Sequence, residues 1–168
     1  YSLAQQLNVD FAQYEIDHLP LRVNTEQTAK AWLTLLLEHG SVLSDNLING
    51  RVIYLIQLHE PLRLAQQKVD VVELPFPKDK HYPQETWEHI EVVVPFLSNE
   101  TAAEWLARIK NTFLRNQPER FKVKTSEPKG SGETLLNLSV AVSFLDKTQN
   151  PTCIKFHPYS IKQIVSAV

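Results

Sequence analysis

Asp17-His18 and Glu88-His89 each open an alternating apolar run, and Glu73 interrupts a third one, Val71-Val72-Glu73-Leu74. Two imidazoles and one carboxylate suit a divalent ion such as Zn, Fe, Mn, Co or Ni, and they leave positions open for water and substrate. A carboxylate on a strand otherwise made of Val and Leu is costly to bury unless it is paired, hydrogen-bonded or metal-bound. Pairing of Glu73 with Arg22 would also satisfy it, as a partly buried bridge without any metal. No short spacing rule links these groups, so the fold has to assemble them.

The positioning unit is written twice. Asp17-His18 is followed by alternating apolar residues, Thr28-Ala29 and Trp32-Leu33; Glu88-His89 is followed by alternating apolar residues, Thr101-Ala102 and Trp105-Leu106. Self-similarity of this kind marks two copies of one supersecondary unit. In the first copy Ile16 to Val23 alternates as a strand. Glu26 to Leu37 then places Ala29, Trp32, Leu33 and Leu36 at helical spacing behind a Thr25 or Asn24 cap, and Gly40 stops the helix. Strands follow at about Ser41 to Asp45, Val52 to Leu58 and Val69 to Leu74, with Asn49-Gly50 as a hairpin turn and His59-Glu60-Pro61 as a closing turn. The second copy repeats the βαβββ order: strand Trp87 to Val94, helix Ala102 to Phe113, then strands Phe121 to Lys124, Leu138 to Phe144 and Thr152 to Phe156. A short helix capped by Ser160 ends the chain. Phe76 to Tyr82, Pro-rich and charged, is the connector. The expectation is an α+β fold, one domain over residues 1–168 with modules at about 14–76 and 85–158. The modules would form one curved mixed sheet around a concave cleft, with helices outside.

Side chains alternate across a strand, so each strand sorts its residues between two faces. Leu19, Leu21 and Val23 fall on one face and His18, Pro20 and Arg22 on the other; Ile90, Val92 and Val94 oppose His89, Glu91 and Val93. The module-closing strands oppose Val72, Leu74 and Phe76 to Val71, Glu73 and Pro75, and Ile154 and Phe156 to Cys153, Lys155 and His157. All four strands turn ionisable groups away from the helices. His18 and His89, equivalent in the repeat, should then face one another across a pseudo-two-fold axis.

Composition bounds the rest. The chain has 168 residues, 43% of them hydrophobic, enough to bury a core. With 17 Lys and Arg against 19 Asp and Glu the net charge is -2, which disfavours nucleic acid as a partner. No apolar run spans a bilayer. The single cysteine, Cys153, excludes an intrachain disulfide and reads as a small buried hydrophobe, in keeping with a reducing, cytoplasmic location. The chain starts at Tyr1 and lacks Met, so a trimmed N-terminus is expected. His39 and His81 read as solvated. The basic excess of Arg108, Lys110, Arg115, Arg120, Lys122, Lys124 and Lys129 reads mainly as a solvated face, with an anionic substrate group near the mouth as the functional alternative. Lys129-Gly130-Ser131-Gly132 lacks the Gly-Lys-Ser/Thr order of a phosphate loop.

Asp17-His18-Leu19-Pro20-Leu21-Arg22, Asn49-Gly50-Arg51, His59-Glu60-Pro61, Val72-Glu73-Leu74-Pro75, Trp87-Glu88-His89-Ile90-Glu91 and Ile154-Lys155-Phe156-His157-Pro158 together resemble the bacterial YecM family. That family is placed in the vicinal oxygen chelate superfamily of paired βαβββ modules. The resemblance extends to glyoxalase I of that superfamily: His18 with Arg22, Val72-Glu73-Leu74 and His89-Ile90 are similar to its metal-binding strands. It implies a ligand role for His18, Glu73 and His89. The fourth ligand there is a glutamate on the last strand, where this chain has Lys155; His157, two residues on, is the substitute on the same face. The resemblance implies a Lewis-acid enzyme of isomerase, lyase or oxygenase type acting on a small anionic substrate with adjacent oxygens. Arg22 would hold a carboxylate, and Glu91 or His157 would move a proton. The alternative is a metal-free protein that binds or sequesters a small molecule. Oligomeric state is left open.

Overall fold

The computed structural model describes residues 1–148 and 150–167. Its elements are α1 (Ser2–Gln6), β1 (Glu15–Pro20), α2 (Glu26–Glu38), β2 (Gly40–Ser44), β3 (Leu47–Ile48), β4 (Arg51–Leu64), β5 (Gln67–Pro75), β6 (His89–Val93), α3 (Ala102–Phe113), a 3-10 turn (Pro118–Arg120), β7 (Phe121–Ser126), β8 (Ser139–Phe144), β9 (Cys153–His157) and α4 (Ile161–Ser166). The fold is α+β, and the strands make one mixed sheet in the order β2-β4-β5-β1-β6-β9-β8-β7, with β3 beside β4. Each half runs strand, helix, then strands, and its first and last long strands pair parallel: β1 with β5, β6 with β9. The halves meet along the antiparallel pair β1 and β6.

Apolar spacing decides which side of the sheet each helix covers. Trp105, Ile109 and Phe113 of α3 are buried against Val92, Val140, Val142, Ile154 and Phe156 of the second half. Ala29 and Leu36 of α2 pack on Ile56, Val72 and Leu74 of the first. Both helices begin where the sequence places a threonine: Thr25 Oγ1 accepts from Thr28 N, and Thr101 forms a capping box with Glu104. Helix α1, which carries no strong sequence signal, adds Leu3 and Ala4 to the second-half core, and its C-cap adds Leu7.

One turn falls elsewhere than the composition suggests. His59-Glu60-Pro61 lies inside β4, which runs on to Leu64, and the reversal comes at Ala65-Gln66, both at positive φ (50° and 65°). The register between β4 and β5 shifts between Gln57 and Leu62, so Pro61 sits where the ladder is already interrupted and its missing N–H costs no strand bond. The connector is pinned to the first half by Asn24, whose Nδ2 donates to Tyr82 O (2.8 Å) and whose Oδ1 accepts from Tyr82 N (2.7 Å).

Candidate metal centre

The register at the seam between the halves builds the site. Ile16 pairs with Val92, but the count slips by one before His18, leaving Asp17 as an extra residue and setting His18 opposite Glu91. A bulge of this kind re-aims side chains. It also lets Asp17 and His18, neighbours that would point to opposite faces of a regular strand, bond to each other: Asp17 Oδ2 lies 2.8 Å from His18 Nδ1. The same Asp17 oxygen accepts from Ile161 N at the start of α4, at 2.8 Å. On the next strands, β9 sets Lys155 beside Glu91, and β5 brings Glu73 to Pro20.

His18, Glu73 and Glu91 converge, each with one ligand atom within 4.8 Å of the others. His18 Nε2 lies 3.4 Å from Glu73 Oε2 and 3.9 Å from Glu91 Oε1. The three line a cleft of about 280 Å³, together with Arg22, Lys155 and His157. Burial opposes the charge on His18, but Asp17, Glu73 and Glu91 outweigh it and push its pKa up to about 10. Burial likewise opposes ionisation of Glu73, yet His18 holds it down at about 2. Glu91 is held well below the usual carboxylate range against burial, chiefly by His157 and Lys155. Lys155 Nζ stands 3.4 Å from Glu91 Oε1, and against burial the carboxylates Glu91 and Glu73 raise its pKa.

His89 does not join this set; Glu91 takes the position the repeat suggests for it. Arg22 can only donate, so its Nη2 contact to His89 Nδ1 (3.4 Å) makes that nitrogen the acceptor and leaves Nε2–H to donate to Glu91 Oε1 at 2.9 Å. Burial lowers the pKa of His89, in keeping with a neutral ring. Both nitrogens are thereby committed, and the ring supports Glu91 from behind. The register is the cause: an unbroken count from Ile16 and Val92 would set His18 opposite Ile90, the bulge sets it opposite Glu91, and neither count brings it opposite His89; no sequence pattern announces the slip. His157 lines the same cleft, its Nε2 on Glu91 Oε2 and its Nδ1 3.3 Å from Asn137 Oδ1. The Glu73–Arg22 bridge does not form. Glu73 faces His18, and the carboxylate near Arg22 is Glu88, 3.9 Å from Nε.

A family description, YecM protein, matches residues 1–167. The chain belongs to the YecM family. It is 57% identical over 161 residues to an uncharacterised protein of Haemophilus influenzae, covering 96% of this chain and 83% of that protein. It is 41% identical over 165 residues to Protein YecM of Escherichia coli, covering 98% of this chain and 84% of that one. A solved structural-genomics structure, Protein EC4020, superposes with a TM-score of 0.78 at 38% identity, covering 98% of this chain and 82% of that one.

In this YecM-family chain the remaining sequence-singled residues divide cleanly. Cys153 is buried on β9, and burial pushes its thiol pKa up. His39 and His81 are exposed. Of the basic stretch, Arg108 pairs with Glu100 at 2.7 Å, whereas Lys124 lines the cleft. Two contributors carry no sequence signal as site residues: Asp17, whose role needs the bulge, and Asn137, which follows a loop. No described helix is long and apolar enough to cross a membrane.

Proposed function

We propose that this protein is a divalent-metal-dependent enzyme of the vicinal oxygen chelate type, acting as isomerase, lyase or oxygenase on a small substrate with adjacent oxygens. One observation carries the reading. His18, Glu73 and Glu91 converge while Asp17 holds the far nitrogen of His18, the arrangement by which a second carboxylate fixes the tautomer and orientation of a metal-binding imidazole. Mixed imidazole and carboxylate donors suit Zn, Fe, Mn, Co or Ni. The bound ion would supply Lewis acidity toward a substrate oxygen.

The chain's own groups do the rest. Arg22 is buried and its Nε has no hydrogen-bond partner among the described residues. A buried donor without an acceptor is costly, and a substrate carboxylate would satisfy it with a charge-assisted bond. His157, held from behind by Asn137, stores a proton at Nε2 against Glu91 Oε2 and can pass it to a substrate atom in the cleft. Ile161 and Ile164 of α4 close one side of the cleft and restrict water there.

The test is elemental analysis of untagged protein, followed by divalent-metal titration read by thermal shift on wild type and His18→Ala. Stoichiometric metal in the wild type, with a stabilisation that the variant loses, is the expected result. Neither metal nor shift with Zn, Ni, Mn, Co or Fe(II) would overturn the proposal. A second reading, a metal-free protein that binds a small molecule, draws support from the charge pairing: Lys155 neutralises Glu91 at 3.4 Å and His18 lies between Asp17 and Glu73 without any ion. Ligand binding that survives exhaustive chelation would favour it.

A further inference from the structure

The charges lining the cleft say what else the substrate carries, an inference that rests on the metal reading above. The acids of the lining are Asp17, Glu73, Glu91 and Glu133, and its permanently charged bases are Arg22, Arg51, Lys124 and Lys155. Leaving the histidines out of the count, the two sets cancel, four against four. A partly closed cleft tolerates little uncompensated charge, so the two charges of a bound divalent ion fall to the substrate to neutralise.

The bases are also unevenly committed. Lys155 is taken by Glu91, and Glu133 spends Oε2 on Gly130 N at 2.7 Å. Lys124, exposed, makes no ion pair among the described residues. Sheet register sets Glu91, Lys155, Ala141 and Lys124 side by side across β6, β9, β8 and β7. Ala141 contributes only a methyl group between the two lysine stems. The adjoining row pairs Ser126 with Ser139, and both line the cleft as hydroxyl donors. Arg22 belongs to the other half, just beyond β1, so its Nε, which has no hydrogen-bond partner, and the unpaired Lys124 flank the metal cluster from opposite halves of the sheet; Arg51 of β4 is a third lining base without an ion pair among the described residues.

The geometry points to a dianionic acid as substrate: one carboxylate at Arg22, an adjacent oxygen at the metal cluster, and a second anionic group at Lys124 with Ser126 and Ser139. A matched pair of probes isolates the second group. 2-Oxoglutarate and 2-oxovalerate share the 2-oxo acid head and chain length and differ in the distal carboxylate. Metal content is measured first, then both probes are titrated calorimetrically into wild type and Lys124→Ala, with and without added metal. About fivefold tighter binding of 2-oxoglutarate to the metal-loaded wild type is expected, falling to within about twofold in Lys124→Ala while 2-oxovalerate affinity stays constant. Equal binding of the two probes, absence of binding by either, or a preference that survives Lys124→Ala would overturn the inference. A protein that takes up no metal would sink the metal reading separately, and the 2-oxoglutarate preference of the metal-free wild type and variant would still decide the Lys124 subsite. A Lys124→Arg variant, which keeps the charge, should retain the preference and guards against a merely structural effect.

Discussion

Adding a divalent ion to the metal-free protein should expel a proton. The ring of His18 stands between two acceptors, Asp17 Oδ2 at Nδ1 (2.8 Å) and Glu73 Oε2 at Nε2 (3.4 Å), so both nitrogens carry hydrogen. With its pKa pushed up to about 10, the imidazolium at neutral pH holds its proton by about 4 kcal/mol, at about 1.4 kcal/mol per pH step. An ion that takes Nε2 has to displace that proton, so apparent metal affinity should rise about tenfold per pH step below that pKa. Calorimetry in buffers of different ionisation enthalpy reads the release directly. Close to one proton per bound ion is expected, and Asp17→Asn should reduce the release by loosening the hold on the ring. Metal binding with no proton release, and an affinity flat from slightly acid to slightly alkaline pH, would refute the reasoning. The same shift sets a stability window for the metal-free chain. A folded pKa above the ordinary value of 6.5 stabilises fully below about 6.5, and the contribution is lost as pH rises through about 10.

Glu73 gives the acid counterpart: with its pKa lowered to about 2 from 4.5, its contribution is present above about 4.5 and lost as pH falls through about 2. Urea unfolding against pH should show this loss in wild type and not in Glu73→Gln. Lys155→Ala removes the ammonium that competes for Glu91 and should tighten metal binding by up to about 1 kcal/mol; a weaker affinity by titration would show that Lys155 supports the site instead. Trp105→Ala should cost about 3–5 kcal/mol in a denaturant titration, because the indole is fully buried (0% exposed) and donates to Val94 O at 2.7 Å. Asn24→Ala should cost about 1–2 kcal/mol and quicken proteolysis at the connector, since its two bonds to the Tyr82 backbone hold that segment.

Much of the architecture is legible before any coordinates. Helical spacing of Ala29 and Leu36, and of Trp105, Ile109 and Phe113, places both long helices within a residue or so of their observed bounds, and their threonine caps are where the polar residues stand. Alternation sorts His18, Glu73, Glu91, Lys155 and His157 onto one face, the face that lines the cleft. Local chemistry is also where the reading slips. Pro61 looks like a strand end, yet β4 carries it through a register shift, and α1 is too short for periodicity to reveal.

Periodicity is a property of neighbours in the chain, so the long helices, their buried faces and the ionisable groups that share a surface could be read from residue order. Register is a property of two strands together, and it is settled when they pair in the folded sheet. The slip at Asp17 set Glu91 rather than Ile90 opposite His18 and turned Asp17 inward to hold the imidazole, while His89 stands behind Glu91. A one-residue shift between strands leaves no trace in the hydrophobic pattern of either, yet it chooses which side chains meet.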